Sequence, residues 1–195
     1  MVIKIAIHGK ANSGKDTLAK ILAAKLESKT RHPGPGLKLA FADPIKEIAE
    51  IMFPQVPRDV WWGPSPLRST VIDEAYDSDG NKLTARRLLT DLGKKGRKYN
   101  QNIWINAVLH KIKENLGFVV ISDLRFKNEF AALKENNFFL IKLVRKSNIS
   151  KSKDESEVDL DDVSNDNFDY IINNDKSLED LNESIDDLVH FLTFN

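Results

Sequence analysis

At 195 residues, the chain suits one compact domain, with or without a mobile flap, and is long enough to bury a real core. Lys plus Arg and Asp plus Glu both number 29, so the net charge is zero; no nucleic-acid surface and no attachment to an anionic membrane is expected, and any binding of anions would have to be local. Cysteine is absent, which excludes disulfides, zinc–cysteine sites and thiol nucleophiles.

Val2 to Ile7 is a short β-rich run suited to a buried parallel strand. "MVIKIAIHG" runs into a glycine-rich turn rather than a cleavage site, so it reads as a strand and not as an export signal. "DTLAKILAAKLES" from Asp16 follows with helical spacing at Leu18, Ile21, Leu22 and Leu26. After the break at "HPGPG", "LKLAFA" predicts a second strand, and Pro44 is placed to open the helix "PIKEIAEIMF". From Pro54 to Asn81 the pattern lapses, with four prolines and two tryptophans, and reads as an insertion. Within it "DSDGN" lacks the first ligand and the flanking helices of a calcium loop, so a hairpin turn at Asp79-Gly80 is expected.

Helical spacing returns in "TARRLLTDLGKKGR" and in "NIWINAVLHKIKENL". "FVVISD" predicts a third strand, "FKNEFAALKENN" a helix, "FFLIKLVR" a fourth strand and "DYIIN" a fifth. "SLEDLNESIDDLVHFL" closes the chain as a helix with Ser177 at its N-cap. Strands alternating with helices imply a parallel sheet covered on both faces. Residues 146–167 are almost wholly polar and charged, which predicts a mobile loop, either a plain surface loop or a lid over bound nucleotide. No apolar run approaches the roughly 20 residues that cross a bilayer, so a soluble, intracellular protein is expected.

Gly9, Gly14 and Lys15 fit G-x-x-x-x-G-K, whose glycines let backbone N–H groups crowd around phosphate oxygens while the lysine reaches the outer phosphates. The helix that follows points its positive end at the same place. Where such loops usually carry a hydroxyl for Mg²⁺, this one carries Asp16. A carboxylate there is tolerable beside cations: it holds Mg²⁺, directly or through water, or it orients the acceptor phosphate, while Thr17 stays available for the hydroxyl role. Capping of the helix by Asp16 is the plain structural alternative. A switch GTPase would add N-K-x-D, which "NNDK" does not match, so a small kinase remains.

Taken in order, "SGKDT", "FADPIK", "RRLLTDLG", "ISDLRFKNE" and "ESE" resemble the deoxynucleoside monophosphate kinases of tailed bacteriophages. That resemblance implies an α/β P-loop NTPase fold over residues 1–195: a parallel sheet of about five strands, helices on both faces, an insertion and helical monophosphate-binding region at 54–115, and a lid at 146–167. It implies transfer of the γ-phosphoryl of ATP, with Mg²⁺, to a deoxynucleoside monophosphate, in the host cytoplasm if phage-encoded. The nucleotide would be held by Gly9, Asn12, Ser13, Gly14, Lys15, Asp16, Thr17 and Arg145.

Asp123 ends an apolar strand, where an acid can hold Mg²⁺ with Asp16 and Thr17. Arg125 could clamp a phosphate, with Glu129 holding it through an i, i+4 pair. The resemblance places the acceptor site at Arg86, Arg87, Thr90 and Gly93, with Trp104 as a stacking surface, Asp43 and Lys46 nearby, and Glu157 reaching in from the lid beside Lys151, Lys153 and Glu155. Lys15, Asp16, Arg87, Asp123 and Arg125 form the expected catalytic set. The rivals are an animal-type phosphomevalonate kinase, which shares Ser-Gly-Lys-Asp, and a regulatory protein that binds nucleotide and hands phosphate to nothing. Pairing into a homodimer is left open.

Overall fold

The protein is described by a computed structural model over residues 2–29, 34–113, 116–146 and 155–194. In chain order its elements are β1 (Ile3–Gly9), α1 (Lys15–Lys29), β2 (Gly36–Leu39), α2 (Asp43–Met52), α3 (Arg58–Trp62), β3 (Val71–Tyr76), β4 (Lys82–Thr84), α4 (Ala85–Tyr99) and α5 (Ile103–Leu109). They continue with β5 (Phe118–Leu124), α6 (Lys127–Glu135), β6 (Phe139–Val144), α7 (Glu155–Val158), β7 (Tyr170–Asn173) and α8 (Leu178–Phe194). The chain divides into two compact units, Met1–Ala40 with His110–Asn195, and Phe41–Leu109.

The first unit is built on a five-stranded sheet in the order β2-β5-β1-β6-β7, every pair parallel. Its strands are short β-branched and aliphatic runs that alternate between faces. Ile5, Ile7, Val120, Ile141 and Leu143 meet Leu18, Leu22 and Leu26 of α1 and Leu181, Ile185 and Leu188 of α8 in one buried cluster. This is the apolar face that the spacing of α1 predicts. Helix α6 packs on β6 outside that cluster. Helix α8 begins as expected: Ser177 Oγ accepts from Asp180 N at 3.2 Å, and the Asp180 carboxylate accepts from Ser177 N at 3.1 Å. From β1 the chain leaves toward β2 on one side, and from β6 toward β7 on the other. The C-terminal edge at β1 is therefore the switch point where α/β sheets bind ligands.

The second unit packs α2, α4 and α5 with the hairpin β3–β4. Its core joins Ala49, Val60, Trp61, Ile72, Ala75, Leu83, Ala85 and Leu88. The stretch read as an insertion thus contributes Val60, Trp61, Ile72 and Ala75 to a core. The expected turn sits in the hairpin, where the Asp77 carboxylate accepts from Asp79 N at 3.0 Å and Asn81 N at 2.9 Å.

Two elements are shorter than their patterns. β2 ends at Leu39 rather than running through "AFA": Phe41 is 4% exposed and Ala42 is already the N-cap of α2. Helix α5 stops at Leu109, because beyond Leu109 only Ile112 interrupts a polar run before Leu116, too little to hold further turns. Of the loop expected to move, residues 147–154 lie outside the described residues. The rest carries α7 and a 3₁₀ turn at Asn165–Asn167. No helix among the described residues is long and apolar enough to cross a membrane.

Candidate active site

The phosphate loop joins β1 to α1 at the switch point. Its wrap needs two left-handed residues, Asn12 with φ 59° and Gly14 with φ 96°; the second is where only glycine is comfortable. Lys15 lies inside, 8% exposed. Burial, then the positive charge of Arg125, pushes its ammonium below the usual lysine range, against the pull of Asp16, Glu157 and Asp123. Ser13 is 1% exposed, and its hydroxyl has no hydrogen-bond partner among the described residues. A desolvated cation, a second cation beside it and an orphan hydroxyl, all on a glycine-rich turn at a helix N-terminus, fit a bound polyphosphate.

Asp16 and Thr17 are both exposed on the first turn of α1, and Asp123 stands at the C-terminal end of β5. Among the described residues no group of three or more acids or histidines forms a metal cage. Asp16, Thr17 and Asp123 are hard oxygen donors, of the kind that hold Mg²⁺ alongside substrate phosphates.

Arg125 follows Asp123 closely, and the pairing foreseen between its guanidinium and Glu129 takes another form. Glu129 Oε2 accepts from the backbone N–H groups of Arg125 at 2.8 Å and Phe126 at 3.0 Å, as a cap on α6. Burial, then the charge of Asp123, pushes the Glu129 carboxyl up to about 8, against those two N–H groups and Arg125. At 6% exposure, Glu129 supports the turn between β5 and α6. The Arg125 guanidinium donates to Glu157 Oε1 at 2.6 Å. Glu157 is thereby brought to the phosphate loop, while Lys151, Lys153 and the Glu155 side chain lie outside the described residues. Arg145 is exposed just past the end of β6.

Within Phe41–Leu109, Asp43 and Lys46 form an ion pair at 2.9 Å. The tandem arginines separate. Arg86 donates to the Ser65 carbonyl and hydroxyl, both at 3.0 Å, and so braces a turn. Arg87 is exposed and reaches along its own helix to Asp91 at 3.2 Å, with Asp77 of the hairpin as a further electrostatic neighbour. Thr90 donates back to the Arg86 carbonyl at 2.9 Å. Trp104 is 7% exposed, its indole N–H donates to the Gly93 carbonyl at 3.0 Å, and a side chain at Gly96 would run into its ring. The indole fills the groove that Gly96 leaves in α4, so the open stacking face expected of it is reduced to an edge. Trp62 is the more accessible indole, with the Lys46 ammonium 4.9 Å and the Arg58 guanidinium 5.4 Å from its ring.

Four participants near the loop were not foreseen: Lys10, the Ala11 amide, Asp161 and Asn174. Asn174 donates to the Ser13 carbonyl at 2.8 Å, Lys10 bonds Asp161, and Ala11 N donates to Glu157 at 2.8 Å. None belongs to a fixed position of a motif, and each partner lies at least 146 residues away, so local pattern carries no trace of them.

A family model described as "Deoxynucleotide monophosphate kinase" matches residues 66–185, more than half of the chain. That span takes in Arg86, Arg87, Asp123, Arg125, Glu129 and Glu157, and begins after the phosphate loop. A protein of Acanthamoeba polyphaga mimivirus described as "Putative deoxynucleotide monophosphate kinase" is 25% identical over 197 residues, covering 94% of this chain and 94% of the relative.

Proposed function

Since the chain belongs to the deoxynucleotide monophosphate kinase family, and is therefore a phosphotransferase acting on nucleotides, we propose that its reaction moves the γ-phosphoryl of ATP onto a deoxynucleoside monophosphate. The products are a deoxynucleoside diphosphate and ADP. The observation that carries this reading is Lys15, a desolvated ammonium at the switch point with Arg125, Asp16 and Asp123 as its electrostatic neighbours. Such a set grips a polyphosphate and neutralises charge that develops on transfer.

In this reading the loop amides from Asn12 to Thr17 and the Lys15 ammonium hold the outer phosphates. Asp16, Thr17 and Asp123 are the residues that would hold Mg²⁺ or its water shell. Bound there, the ion would supply positive charge against the phosphates. Arg125 faces the transferred group, and Arg145 adds a cation for the nucleotide. Arg87, Lys46 and Thr90 of the second unit are the candidates for the acceptor's phosphate. An acceptor oxygen attacks the γ-phosphorus as the bond to ADP breaks, so no covalent enzyme intermediate is required.

The phosphomevalonate kinase alternative is not favoured by the family match. The test is ADP release, with ATP and Mg²⁺, against a panel of deoxynucleoside and ribonucleoside monophosphates and phosphomevalonate. Acceptor-dependent release with at least one deoxynucleoside monophosphate, lost in Lys15→Ala, is the expected result. Release that ignores every acceptor leaves only a slow nucleotidase and overturns the reading.

A further inference from the structure

The stretch from Glu157 to Asp162 is laid against the phosphate loop and the start of α6 by a series of acids. Glu157 Oε2 accepts from Ala11 N at 2.8 Å and its Oε1 from Arg125 Nη1 at 2.6 Å. Lys10 Nζ donates to the Glu157 carbonyl and to Asp161. Asp159 accepts from Lys127 N at 2.7 Å, Asp162 pairs with Lys127 Nζ at 2.6 Å, and Leu160 between them is 2% exposed. The Glu157 side chain is 11% exposed.

Arg125 and Lys15 are like charges close enough for the first to depress the ionisation of the second. A guanidinium on a long, rotatable stem would relieve that repulsion by swinging into water. The Glu157 carboxylate opposes this. One oxygen takes the guanidinium and the other takes an amide of the loop itself, so Arg125 is referenced to the loop backbone. With both oxygens committed, Glu157 has its contacts within the protein rather than with a substrate.

We infer that Glu157 is a positioning residue for phosphoryl transfer: it keys the Arg125 guanidinium to the phosphate loop, and the clasp of Lys10 on Asp161 keeps Glu157 in place. This rests on the reading of Arg125 as the group that faces the transferred phosphoryl. Misplacing a catalytic group by about 1 Å costs on the order of 100-fold in rate, whereas nucleotide grip by Lys15 and the amides is left intact.

The experiment is a double-mutant cycle on the full chain with Arg125→Ala, Glu157→Ala and both together, reading kcat, both KM values and rescue by guanidinium ion. Glu157→Ala is expected to lower kcat by about 10- to 100-fold with the KM for ATP within about threefold of wild type. The double variant should be no slower than Arg125→Ala, and guanidinium should restore Arg125→Ala but not the double variant. Additive losses, or equal rescue of both, would overturn the inference. So would a Glu157→Ala that binds ATP more tightly at unchanged kcat, since the carboxylate would then only be filling the loop. Thermal unfolding checks each variant, and if Glu157→Ala does not fold, Glu157→Gln replaces it with the same expected pattern. A wild type that makes no diphosphate overturns the kinase reading beneath it; an active wild type with an additive cycle overturns the Glu157 inference alone.

Discussion

The side chain of Asn174, just past β7, donates to the carbonyl of Ser13 at 2.8 Å, and a β-carbon on Gly14 would meet that same amide nitrogen at 2.7 Å. The last strand of the sheet therefore braces the back of the phosphate loop, and the left-handed turn at Gly14 is held in shape before any nucleotide arrives. Asn174→Ala removes one hydrogen bond worth about 1 kcal/mol. ADP affinity measured by calorimetry should weaken by about fivefold, with the sheet intact by circular dichroism. Unchanged affinity would show that the loop holds itself.

The tandem arginines should part company on substitution. Arg86→Ala loses two bonds to Ser65 and, being exposed, should cost about 0.5–1 kcal/mol in denaturant unfolding. Arg87→Ala gives up a surface pair with Asp91 and a weak attraction to the exposed Asp77, so stability should move by less than about 0.5 kcal/mol. Its signature is expected in the acceptor: acceptor-dependent turnover at saturating ATP falls by about 100-fold. Equal effects of the two variants on turnover would remove Arg87 from the site.

His8, at the last turn of β1 before the loop, donates Nδ1–H to the Leu124 carbonyl at 3.0 Å and stacks on Phe168 at 5.7 Å. Burial pushes its ionisation below 6.5, the Leu124 bond opposes this, Lys142 and Lys10 add to it, and Asp161 opposes it. The unfolded chain thus takes up a proton more readily than the folded one, so stability is fully present above about pH 6.5 and is lost as pH falls below it. Denaturant titrations between pH 5 and pH 7.5 should show that loss, and His8→Asn should flatten it. A wild-type stability that is level across this range would contradict the assignment.

Legibility followed the range of the contacts. Gly9, Gly14, Lys15 and Asp16 lie close together in sequence and Asp123 stands at the end of its own strand, so a motif and a hydrophobic run were enough to bring them to one sheet edge. Glu129 was chosen correctly as a partner of Arg125, but i, i+4 spacing cannot tell a backbone N–H from a guanidinium, and the carboxylate took the backbone. Glu157 on Ala11 and Asn174 on Ser13 join parts of the chain that only the sheet order makes neighbours. Val60, Trp61, Ile72 and Ala75 stayed hidden because prolines and a bulged hairpin interrupt their spacing. Trp104 reads as a stacking surface because nothing in "LGKKGRKY" signals that Gly96 opens a groove for it.

That groove is testable. A methyl on Gly96 would collide with the Trp104 ring, and overpacking of this kind costs about 1–3 kcal/mol. All three tryptophans of the chain fall within Phe41–Leu109, so intrinsic fluorescence reports on that unit. Gly96→Ala should shift its fluorescence-detected unfolding to lower denaturant. An unshifted transition would mean that the indole is free to move aside.

The most direct measurement follows the label from γ-labelled ATP in the presence of Mg²⁺ and a deoxynucleoside monophosphate. The account predicts that it appears in the deoxynucleoside diphosphate, and that Lys15→Ala, Asp16→Asn and Arg125→Ala each cut that product by at least about 100-fold. Label released only as inorganic phosphate, or diphosphate formed undiminished by Asp16→Asn, would contradict it.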